Sequence, residues 1–218
     1  PWRSMTTLDR IRQLGGAARF AEIGTSRHHL ARMVGRGDLV QSGRGCYAVP
    51  DAPPVLVAAV AANARVTCVS ALRVLDPTAP VNAEGHHLAI RRHRGHRPIV
   101  PVGTRLHYET AAPVSGRRIV TLEQAAVSAA LCQPYDSAVV VLDHVARTRG
   151  TTFLDAVVAG VGQARPSRAR ALACDVDGRA RSPMETRVRL HLRRAGLAVA
   201  VAPFVPGVGE VDLIVEGV

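Results

Sequence analysis

The chain has 218 residues, 47% of them hydrophobic and 21% charged, enough for one large core or two to three small ones in an ordinary globular protein. No apolar run reaches the ~20 residues of a membrane span, which excludes a helical anchor and, together with four dispersed cysteines, places the chain in the cytoplasm as an expectation. The formal charge is +11 and all 28 basic residues are arginine; arginine forks suit phosphates and guanine edges, although GC-rich coding also yields an Ala/Arg/Val-rich, lysine-free chain.

Pro1-Trp2-Arg3-Ser4 precede Met5, lack the apolar stretch of a signal peptide and are read as a non-native leader. Leu8, Ile11 and Leu14 predict a helix closed by Gly15-Gly16, and Ala17 to Ile23 a second short helix. Gly24-Thr25 makes a turn, and Ser26 caps a third helix from Arg27 to Arg36. Leu30, Met33 and Val34 form its apolar face; His28, Arg32 and Arg36 lie opposite. Leu39 to Ser42 and Cys46 to Val49 predict two short strands around Gly43-Arg44-Gly45. Three helices and a hairpin are the parts of a winged helix-turn-helix over residues 1–50. Eight arginines against Asp9, Glu22 and Asp38 make this segment basic. A third helix of this kind enters the major groove of double-stranded DNA while the wing meets the backbone, so Arg27, His28, Arg32 and Arg36 are the expected helix contacts and Arg44 the wing contact. The same fold used for protein contacts is the competing reading.

Pro50 to Pro54 reads as a linker, Val55 to Ala64 as a buried helix. Leu88 to Ile90, Ile99-Val100 and Leu106 to Tyr108 predict strands, separated by the basic turn Arg91 to Arg97. Thr121 and Gln124 form a capping box opening a helix from Leu122 to Leu131, and helices follow over Ser137 to Arg149 and Leu154 to Val161. The polar, arginine-rich stretch from Pro166 to Arg181 reads as a boundary. A last helix, Pro183 to Ala195, precedes strands at Leu197 to Ala202 and Glu210 to Val215, joined through Pro206-Gly207-Val208-Gly209. Cys46, Cys68, Cys132 and Cys174 form no CxxC pair, which argues against a zinc knuckle. His86, His87, His93 and His96 have no thiolate nearby in sequence, so they are read with Arg91, Arg92, Arg94 and Arg97 as a solvated basic loop rather than a zinc site. The fold class expected is α+β: a winged helix-turn-helix at 1–50, a mixed α/β middle domain at 51–180 and a partial restriction-endonuclease-like α/β unit at 181–218.

The segments TLDRIRQLGGAARFAEI, TSRHHLARMVGRGDL and RGCYAVP resemble the N-terminal domain of AbiEi-type antitoxins, and the region through about Ala180, with Ile119 to Ala125, is similar to the middle of those proteins. This resemblance implies DNA binding, autoregulation of a toxin-antitoxin operon and a cognate toxin protein as partner. Ser182-Pro183-Met184-Glu185 through Arg189, Leu192 and Ala195-Gly196-Leu197, then Val208 to Leu213, resemble the opening of Vsr-like endonuclease domains. That likeness implies an acidic residue on the helix, Glu185, and a metal-ligating Asp212 on a strand, both catalytic, since oxygen ligands hold Mg2+ against a scissile phosphate. The family also needs an acid and a Lys or Gln on the next strand; Glu216 stands too close to Asp212 to serve, so the catalytic set is expected to be incomplete by Val218.

The leading expectation is a cytoplasmic DNA-binding transcriptional regulator that needs no cofactor to bind DNA. A palindromic operator would call for two copies of the chain, a homodimer. The rival is a Mg2+-dependent DNA endonuclease delivered by its winged helix.

Overall fold

The computed structural model describes residues 5–82, 84–91, 98–109 and 118–216. The chain is mixed α+β and divides into two compact units: the described residues of Pro1–Ala71 with Ala83–Val120, and Leu72–Asn82 with Thr121–Val218. Among the described residues no helix is long and apolar enough to cross a membrane.

The first unit begins with α1 (Thr7–Gln13), β1 (Ala17–Arg19), α2 (Phe20–Ile23), α3 (Arg27–Gly35), β2 (Val40–Gly43) and β3 (Cys46–Ala48). Thr6 caps α1 by accepting the Asp9 N–H, and Asp9 returns the bond to the Thr6 N–H, satisfying two donors the helix start leaves unpaired. Residues 17–23, read from sequence as one helix, instead split. Ala17, Ala18 and Arg19 pair antiparallel with Ala48, Tyr47 and Cys46, giving a sheet in the order β1-β3-β2. Alanine favours helix locally, but ladder bonds and burial of Ala17 and Ala18 outweigh that small propensity. Ile11, Leu14, Ile23, Leu30, Met33 and Leu39 pack into the core beneath this sheet, each fully buried side chain worth roughly 1.5–3 kcal/mol.

The same unit continues through α4 (Pro54–Ala61), with Pro54 at its first position where a missing N–H costs nothing, then β4 (Arg65–Val66), the first turn of α5 (Cys68–Leu75), whose residues from Leu72 on are counted in the second unit, β5 (His87–Arg91) and β6 (Arg105–Glu109). These strands form a sheet in the order β4-β5-β6, antiparallel then parallel. Gly85 is essential to the register: it has φ +71, and a Cβ there would stand 2.2 Å from the Gly103 carbonyl oxygen, a clash no side chain tolerates. The adjacent Arg105 N–H to His86 O bond of 2.7 Å locks the starts of β5 and β6 together. Ile99 and Val100, expected as a strand, lie outside any sheet, with Ile99 95% exposed; the flanking Pro98 and Pro101 have no N–H to give a ladder.

The second unit holds α6 (Leu122–Cys132), α7 (Tyr135–Arg149), α8 (Thr151–Ala164), α9 (Pro166–Asp175) and α10 (Pro183–Arg194), followed by β7 (Val199–Val201), β8 (Phe204–Val205), β9 (Gly209–Glu210) and β10 (Leu213–Val215). Thr121 accepts the Gln124 N–H in the capping box that the sequence predicts. Residues 166–175, expected as a polar boundary, are helical: Pro166 starts α9, and Ala169 and Leu172 turn inward. Arginines at 168 and 170 masked this amphipathic pattern. The two final strands are shorter than predicted; β7 pairs with β10, and a small hairpin, β8 with β9, stands between them. Pro206 to Val208 make the turn of that hairpin.

Candidate functional site

Ser26 Oγ accepts the His29 N–H at 3.1 Å and so starts α3 where the sequence predicts. At its other end Gly37 N–H bonds Val34 O and Asp38 N–H bonds Met33 O, both at 3.0 Å, with Gly37 at φ +77, the left-handed closure that favours glycine. With Leu30 and Met33 buried, the rotation of α3 is fixed. Arg27, His28, Arg32 and Arg36 are consequently exposed, and Arg44 is exposed in the turn between β2 and β3.

The five residues are not equivalent. The Arg27 guanidinium lies 4.9 Å above the Phe20 ring, a cation–π contact that limits its rotamers. Phe20 N–H in turn bonds Gly45 O at 2.8 Å, so one aromatic residue links the start of α3 to the turn that carries Arg44. Arg36 pairs with Asp38 through Nη2 at 2.8 Å, which neutralises part of its charge. Among the described residues Arg32 and Arg44 have no carboxylate partner. An exposed, positively charged face of this kind attracts phosphate at long range and is screened by salt.

In the second unit, Ser182 Oγ accepts the Glu185 N–H at 3.1 Å, and Glu185 Oε2 accepts the backbone N–H of Arg181 at 2.9 Å. The Arg181 guanidinium reaches Glu210 Oε1 and Asp212 Oδ1, each at 3.0 Å. The two carboxylates carried over from the nuclease resemblance are thus gathered around one arginine, with Glu210 as a third member that sequence reasoning did not single out. Three carboxylates have the oxygen chemistry a Mg2+ ion requires, but their placement does not fit one. The Arg181 guanidinium pairs with Glu210 and Asp212 while Glu185 is bonded to the Arg181 backbone N–H, and among the described residues the three carboxylates do not converge as a ligand group. We therefore derive no metal-dependent step from Glu185 and Asp212.

What aims α10 is a buried polar network. Arg189, fully buried, donates to Asp143 Oδ2 at 2.7 Å and to Asp175 O. Thr186 Oγ1 donates to the same Asp143 oxygen at 2.6 Å, and Asp177 N–H to Oδ1 at 2.7 Å. Burial pushes the Asp143 carboxyl upward against these donors. No known protein family matches the chain, and no curated protein matches it.

A further cluster contradicts the reading of His87 as part of a solvated loop, while His86 is half-buried. His87 is buried, its Nδ1 stands 3.1 Å from His107 Nε2, and the Cys68 thiol lies within 4.8 Å of both imidazoles. His93 and His96 fall outside the described residues. The signal was invisible in sequence because the thiol lies nineteen residues before His87 and the second imidazole twenty after it; only the pairing of β5 with β6 unites them.

Proposed function

We propose that the chain is a DNA-binding transcriptional regulator of the AbiEi antitoxin kind, acting in the cytoplasm on double-stranded DNA, with residues 5–50 as a winged helix. The helix and strand order of that segment, with its β1-β3-β2 sheet, supports the winged-helix reading. The single observation that carries the function is the linkage through Phe20, which joins Arg27 at the start of α3 to the turn that carries Arg44. In this reading α3 enters the major groove, Arg27 and His28 meet base edges, Arg32 and Arg36 meet phosphates, and Arg44 touches the backbone from the wing. Two copies meet a palindromic operator, and a cognate toxin protein is the second partner. DNA binding needs no cofactor.

Titration of a labelled duplex at several salt concentrations tests this. Each neutralised phosphate contributes about −0.9 to the slope of log affinity against log salt, so the three phosphate contacts of Arg32, Arg36 and Arg44 predict a slope of about −2.7 for each bound copy. Binding that is absent, or indifferent to salt, removes the proposal and leaves the fold to protein contacts.

A further inference from the structure

We propose that Cys68, His87 and His107 form a binding site for a zinc-class transition metal ion in the first unit.

The donors are the ones such an ion selects, a soft thiolate and two imidazoles. Zinc bonds of about 2.0–2.1 Å to nitrogen and about 2.3 Å to sulfur, at tetrahedral angles, put neighbouring donor atoms about 3.3 to 3.6 Å apart. The two imidazole nitrogens already face each other at 3.1 Å, and the sulfur lies within 4.8 Å of both. Small rotations about side-chain bonds close the remaining gap.

The backbone prepares this arrangement. Ala89 pairs with His107 and His87 with Arg105 across the parallel β5–β6 ladder. Residues two apart point to the same face of a strand, so both imidazoles emerge from one face of the sheet. The imidazole planes are tilted by 36° with centroids 5.3 Å apart, which is not a stacked pair but suits two nitrogens converging on one point. Cys68, the first residue of α5, sits at φ +55, a left-handed conformation that costs a non-glycine residue about 1–3 kcal/mol and persists where the surroundings impose it. The His87 N–H bonds Ser70 Oγ at 3.0 Å, and Thr67 N–H bonds His87 O at 3.0 Å, holding the start of α5 against β5.

Three protein ligands leave a fourth position for solvent or a second thiolate. A metal here ties three segments of one unit, at residues 68, 87 and 107, that are separated in sequence and joined only by short strands. Its effect is to hold α5 and the two parallel strands together at one point.

The test uses the full chain, stripped of metal and titrated with Co2+ and then Zn2+. The expected result is one ion per chain, with tetrahedral cobalt absorption and a thiolate-to-cobalt charge-transfer band displaced by Zn2+. The band disappears in Cys68→Ser. His107→Gln weakens binding by at least about 100-fold, because even groups that only orient a ligand cost 10–100-fold. Far-UV circular dichroism of each variant checks that it is folded, and His107, only partly buried, is the variant that spares the fold if Cys68→Ser does not. Replacing Cys46, Cys132 and Cys174 in turn names any second thiolate. Failure to bind Co2+ or Zn2+, a cobalt spectrum without the thiolate band, or full affinity in His107→Gln each overturns the site.

Discussion

Arg189 and Asp143 form an ion pair in which both side chains are buried, 0% and 3% exposed, at 2.7 Å. Removing one partner leaves the other charge in an apolar interior, at a cost of about 3–5 kcal/mol, whereas replacing both by apolar residues of similar volume is often neutral. Arg189→Met or Asp143→Ala alone is therefore expected to lower the thermal stability of the second unit steeply. Arg189→Met with Asp143→Leu is expected to recover much of the loss, although Thr186 and Asp177 still lose an acceptor. Scanning calorimetry of the three variants reads this directly. Additive losses in the double variant would mean that the two residues are not coupled and that each acts through its other contacts.

The contrast between Arg32 and Arg36 predicts an order among DNA-binding variants. Arg36 already spends part of its charge on Asp38, while Arg32 keeps its charge for solvent. Arg32→Ala should weaken duplex binding more than Arg36→Ala and reduce the salt slope by about 0.9. Asp38→Asn frees the Arg36 guanidinium and should strengthen binding at low salt. Electrophoretic mobility or anisotropy titrations at two salt concentrations check all three, and a stronger loss from Arg36→Ala than from Arg32→Ala would place the phosphate track elsewhere on the helix.

The parts of the fold that were legible in sequence are those written locally. Ser26 and Thr121 announce helix starts because a hydroxyl at the cap meets an N–H three residues on, and Leu30 with Met33 fixes the buried side of α3. Ala17–Arg19 and the α9 segment were misread because their structure is imposed from a distance, by pairing with β3 in one case and by burial of Ala169 and Leu172 between arginines in the other. The exposure of Arg27, His28, Arg32 and Arg36 follows from helix periodicity and so was legible in the sequence. Arg181, Glu210 and the Cys68–His87–His107 cluster were not, since each depends on neighbours tens of residues away in sequence.

Arg181 and Glu210 are half exposed and Asp212 is more exposed still, so these ion pairs are screened by water and each is worth less than about 1 kcal/mol. Arg181→Ala should change the unfolding temperature little. Because Glu185, Glu210 and Asp212 do not converge as a ligand group among the described residues, the wild-type chain is expected to leave plasmid DNA intact in Mg2+ or Mn2+, as gel electrophoresis would show. Cleavage that disappears in Asp212→Ala or Glu185→Gln would replace the regulator with the endonuclease reading.

The last prediction concerns pH. Arg147 Nη2 lies 3.2 Å from His144 Nδ1, and since arginine only donates, Nδ1 is the acceptor and the His144 Nε2–H points to Asp76 Oδ2 at 2.9 Å. Burial would raise the Asp76 carboxyl, but bonds from the Thr78 hydroxyl, His144 and the Thr78 N–H outweigh it and hold the carboxyl below its ordinary value. A folded value below the unfolded one means that the carboxylate adds stability above the unfolded value of about 3.9, and that this stability is lost as pH falls through the folded value. Asp76→Asn removes the charge at every pH. The stability gap between wild type and Asp76→Asn should thus be constant from about pH 7 to about pH 5 and shrink below about pH 4. Urea unfolding at four pH values measures it, and a gap that widens on acidification would show that Asp76 gains its stability from something other than its ionised form.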